Sequence, residues 1–98
     1  MTPEEERIRA EQAKRLLADP LMAGALQDIK DTLIDDWRRT PVKDQDLRER
    51  IWGIYVAAFK FEELLRSYIG TGKFAEQVLQ QEEQARNLFK RAMGKFMP

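Results

Sequence analysis

The chain contains no cysteine and no histidine in its 98 residues. Without cysteine there is no disulfide, no thiolate nucleophile and no thiolate zinc site. Without histidine there is no imidazole base, no Ser-His-Asp arrangement and no imidazole ligand for a metal. A net charge of one sign is also missing, because 17 Lys and Arg balance 17 Asp and Glu. That removes the long-range field of a strongly basic nucleic-acid binder, while a local basic patch remains open to it. No apolar run approaches the ~20 residues that span a bilayer; the longest lies around Ile54 to Phe59. Residues 1–18 are charged and polar, without the apolar stretch of a secretory signal. These absences lead us to expect no cofactor, no metal site, no membrane span and no enzymatic activity. The expected compartment is the cytoplasm of the producing cell.

What is present is helix signal, enough for one all-α domain over residues 1–98. Thr2, Pro3 and Glu5 read as a capping box with proline at the first helical position. The helix they open runs to about Ala18 with a thin apolar stripe of Ile8, Ala13, Leu16 and Leu17. Asp19-Pro20 repeats the cap-plus-proline signature, so the first helical segment, residues 3–38, is expected to kink or break there. Beyond it Met22, Leu26, Ile29, Leu33 and Trp37 recur at helical spacing, widened by Leu21, Ala25 and Ile34. Thr40-Pro41 should end that segment, since a residue before proline is pushed out of the α region. Asp44 or Asp46 can cap a second helix.

That central helix, residues 45–69, carries the cleanest heptad: Leu47, Ile51, Ile54, Ala58, Phe61, Leu65 and Tyr68. Steps of four and three alternate through it, as in coiled coils. Trp52, Tyr55, Val56, Phe59, Leu64 and Ile69 lie beside or behind that stripe. A helix apolar on more than one side must be buried on more than one side, so these seven residues are expected to serve as core and self-association surface. Gly70-Thr71-Gly72 reads as a C-cap and turn. A third, basic amphipathic helix over residues 73–95 should come after it. The expected architecture is a helical hairpin or bundle of three main helices with a coiled-coil-like central one.

Four groups of residues invite a chemical reading. Gly70-Thr71-Gly72-Lys73 touches the end of a phosphate-binding loop. Ser67 and Phe74, however, stand where that loop needs glycine and hydroxyl, and no strand precedes. Asp28, Asp31 and Asp35 share a helix face with Asp36 alongside; without histidine partners this reads as a solvated face, equally able to meet a basic partner. Trp37, Trp52, Tyr55, Phe59, Phe61 and Tyr68 could form a stacking platform, but aromatics at helical spacing usually make core. The basic groups are more open. Arg38, Arg39 and Lys43 cluster at a turn, and Arg86, Lys90, Arg91 and Lys95 come after Glu83 with no further acid. With Leu88, Phe89 and Met93 interleaved, the second group suits a protein groove, nucleic-acid phosphates or a membrane surface. Cations near a helix C-terminus also satisfy the helix dipole alone.

The run Arg9 to Leu21, the Trp37-Arg38-Arg39-Thr40-Pro41 turn, Arg48-Glu49-Arg50-Ile51-Trp52 and Gly70-Thr71-Gly72-Lys73 resemble small tailed-bacteriophage proteins. Those proteins are about a hundred residues long and are encoded among head-morphogenesis and DNA-packaging genes; the resemblance covers roughly residues 9–79. It implies a virion or assembly role, with a location in the host cytoplasm or the virion, and carries over no site residue. Three functions are therefore expected, in order. The first is a phage structural or assembly protein that forms homo-oligomers and docks on a larger head, portal or packaging protein. The second is a terminase-small-subunit-like packaging factor that binds DNA, ranked below the first because net charge is zero and no helix-turn-helix is evident. The third is a small inhibitor of a host protein.

Overall fold

The computed structural model describes residues 1–96, and side chains as far as Gly94. It contains α1 (Pro3–Ala18), α2 (Pro20–Arg39) and α3 (Gln45–Phe96), with no strand among the described residues. The caps form where the sequence places them. The Thr2 hydroxyl accepts from Glu5 N at 3.2 Å while the Glu5 carboxylate accepts from Thr2 N at 3.3 Å, a reciprocal capping box. Asp19 is extended and serves both neighbours: it closes α1, and its carboxylate accepts from Leu21 N and Met22 N at the start of α2. The chain therefore breaks at Pro20 without a loop. Thr40, held extended ahead of Pro41, ends α2, and Asp44 stands just before α3 with its carbonyl accepting from Arg48 N.

The turn expected at Gly70-Thr71-Gly72 does not form. Helix α3 runs through it, so the separate helices expected over 45–69 and 73–95 are one helix of 52 residues. Neither glycine takes the left-handed conformation of a cap, and the Thr71 hydroxyl donates to the Ser67 carbonyl at 3.0 Å inside the helix. The physical reason lies across the interface. Gly72 is buried, and a Cβ there would overlap the Ala10 Cβ of α1. Close approach of α1 offsets the ~1 kcal/mol that a glycine costs a helix interior.

Helix α2 turns back along α3, and α1 extends the same arm. Trp37 lies level with Arg48, Lys30 with Glu62, and Ala10 with Gly72, so the arm runs antiparallel to α3. Beyond Leu79 the arm has ended, and the last turns of α3 project over ~25 Å at 1.5 Å per residue. The result measures 84 × 25 × 15 Å, with a radius of gyration of 22.9 Å, against ~13 Å for a compact domain of this length. Among the described residues, the buried apolar ones are Ala10, Ala13, Leu65 and Ala75. This is a core of small side chains.

Candidate assembly surface

The heptad stripe divides between two environments. Leu65 is buried, and Ile51, Ala58 and Tyr68 are half-buried, but Leu47, Ile54 and Phe61 are 45%, 57% and 44% exposed. Of the seven residues expected as core and self-association surface, only part lies in the interior of a single copy. Helix α2 lies to one side of the stripe, over Arg48, Tyr55 and Glu62, and leaves the other flank open. That flank has a regular spacing of its own. Leu47, Arg50, Ile54, Ala57, Phe61 and Leu64 step by three and four along α3, and all six are exposed. The line continues through Tyr68, Gly72, Ala75 and Leu79, where α1 covers it. A signal for this was present in the sequence, since the three-and-four spacing reads straight on through Gly72 and Ala75.

Polar contacts fix α2 in place. Lys30 Nζ meets Glu62 Oε1 at 2.5 Å, with the two side chains only 11% and 14% exposed. Arg66 joins the same carboxylate at 3.4 Å, and the lysine lies 4.2 Å from the Phe59 ring centroid. The hydrogen bond from Lys30 holds the Glu62 carboxyl below its ordinary value, against the opposing effect of burial. At the other end, Arg48 donates to the carbonyls of Thr40 (2.8 Å) and Trp37 (3.2 Å), and stacks 4.0 Å over the Trp37 ring. It satisfies carbonyls freed at the end of α2. On α1, Arg9 stacks 4.0 Å over the Tyr68 ring.

The aromatic residues form a ladder on the flank opposite the open seam. Trp37 and Trp52 are 5.8 Å apart, Trp52 and Tyr55 5.3 Å, and Tyr55 and Phe59 5.0 Å. In a single copy they are only partly covered. Trp52 and Phe59 are exposed, because a single layer of helices covers only one side of each ring.

The charged groups are separate. Asp28, Asp31, Asp35 and Asp36 are all exposed along α2; Asp31 accepts from Gln27 at 2.9 Å and Asp35 pairs with Arg39 at 3.2 Å. Asp28 borders a shallow depression with Ile29, Thr32, Leu33 and Ile54, which puts it beside the open seam. Arg86, Lys90 and Arg91 are exposed on the projecting part of α3 with Leu88 and Phe89, while Met93 is half-buried. The Lys95 side chain lies outside the described residues.

Comparison with known proteins finds no match to this chain among family models, curated proteins or solved structures. Among the described residues, no helix is long and apolar enough to cross a membrane.

Proposed function

We propose that this chain is a non-enzymatic structural or assembly protein of a tailed phage, acting by self-association and by docking its projecting helix onto a larger head, portal or packaging component. One observation carries the reading: a single copy leaves its main apolar seam open. Its accessible surface is 7874 Å2, whereas a compact monomer of its mass exposes ~5,800 Å2. The excess of ~2,000 Å2 exceeds the ~800 Å2 per partner of a stable protein interface. The resemblance to head-morphogenesis and packaging proteins supplies the phage context. Light scattering across a dilution series tests the reading. A dimer or larger assembly is expected, and a strict monomer near 11.5 kDa at high micromolar concentration overturns it.

The projecting helix favours a second reading, DNA contact, because Arg86, Lys90 and Arg91 stand clear of the hairpin. Four phosphate contacts by Arg86, Lys90, Arg91 and Lys95 would give a log–log salt slope of about −3.6 on duplex DNA. Absence of mobility shift at physiological salt is the expected result. Salt-steep micromolar binding, abolished by alanine at those four positions, would put the packaging-factor reading first.

A further inference from the structure

We infer that the open seam of α3, from Leu47 to Leu64, is covered by the same seam of a second copy running antiparallel, with Leu47 of each copy opposite Leu64 of the other. The inference rests on the self-association proposed above and names its surface, partner and direction. The seam is bounded at both ends. It begins just after α3 starts at Gln45. It closes past Leu64, where Leu65 is buried and α1 covers the line through Tyr68 and Gly72. The free length is about 25 Å at 1.5 Å per residue.

A covering helix must therefore fit against the end of α1. A parallel copy in register would bring its own α1 level with this α1 on the same seam, and the two helices would collide. An antiparallel copy avoids this. With Leu47 opposite Leu64, each α1 falls just beyond the start of the other copy's α3. Such a contact is two-fold and self-complementary, so it closes on itself.

The facing residues suit one another in this register. Ile54 of one copy meets Ala57 of the other, a large residue against a small one, as antiparallel helices need to pack closely. Arg50 falls opposite Phe61, where a guanidinium can lie on the ring. The Lys30–Glu62 pair sets how α2 runs along α3, and it brings Arg50 within about a turn of Asp28 of the second copy. Asp28 borders the seam with Ile29, and Arg50 is the one charged residue on the seam itself. The charges are complementary where the surfaces meet.

The absence of cysteine makes the test direct. Leu47→Cys and Leu64→Cys are exposed positions, so each variant should fold. Mixed under oxidising conditions they should form a disulfide between copies, because opposing Cα atoms come within the ~7 Å a disulfide spans. Each variant alone should not cross-link. Arg50→Asp should weaken self-association at least tenfold, since like charges then face each other, and adding Asp28→Arg should restore it. If the wild-type chain is a monomer, the assembly reading fails and this inference with it. If the chain assembles but either single variant cross-links with itself, or Trp52→Cys on the opposite flank cross-links instead, only this inference is overturned.

Discussion

Gly70 and Gly72 lie two positions apart in one helix and do different things. No atom lies within 4 Å of the place a Gly70 Cβ would take, whereas a Gly72 Cβ would overlap Ala10. Gly70→Ala should therefore raise stability by about 1 kcal/mol through helix propensity. Gly72→Ala should lower it by roughly 1–3 kcal/mol through overpacking. Thermal melts read by circular dichroism check both. Loss of stability in Gly70→Ala would indicate a left-handed cap and return the turn to this position. Glu62 provides a second residue-scale test. Its carboxyl is held below the ordinary 4.5 by the Lys30 hydrogen bond, so folding favours its charged form. That contribution is complete above the ordinary value and is lost as pH falls through the lowered folded value. Glu62→Gln should cost about 2 kcal/mol at neutral pH, and the gap from wild type should narrow in melts as the pH falls below the ordinary 4.5. A pH-independent gap would mean the loss comes from packing rather than charge.

At the scale of elements, α3 has three consecutive environments: α2 beside its first half, α1 over Leu65 to Leu79, and no covering helix beyond among the described residues. From Gln80 to Ala92 every residue is exposed. A chain truncated after Gln84 should keep its melting behaviour within ~0.5 kcal/mol, as for surface changes generally, when the two forms are melted at equal concentration. A large loss would place the projecting turns inside the assembly instead of leaving them free for a larger partner. Helix α1 is held differently. Its buried residues are Ala10 and Ala13, so backbone proximity to Gly72 and Ala75 matters more there than side-chain volume.

At the scale of the whole molecule, the shape and the apolar seam point the same way. A rod of 84 Å whose buried apolar residues, among those described, are Ala10, Ala13, Leu65 and Ala75 has little interior of its own, and small domains are marginal even when compact. Stability should then depend on protein concentration. If copies associate, mass action adds ~1.4 kcal/mol per tenfold increase, so the melting temperature should rise by several degrees between dilute and concentrated samples. A melting temperature constant over a hundredfold range of concentration would indicate a self-sufficient monomer.

Residue order alone is enough for the all-α class and for the helix ends at Thr2, Asp19 and Thr40. These are local matters: the Thr2–Glu5 box, the Asp19-Pro20 junction and the Thr40-Pro41 stop each act within a few residues of backbone. It also shows that the line from Leu47 to Tyr68 is one apolar stripe, because helical periodicity alone sets which residues share a face. The tertiary structure decided whether Gly70-Thr71-Gly72 turns or continues. Glycine serves equally as a left-handed cap and as a small residue under a crossing helix, and only the presence of Ala10 against Gly72 selects between them. It likewise decided which part of the seam is covered. Periodicity shows that Ile54 and Leu65 face the same way, but whether a helix lies over each depends on where α1 ends and on which side of α3 the Lys30–Glu62 and Arg48 contacts hold α2.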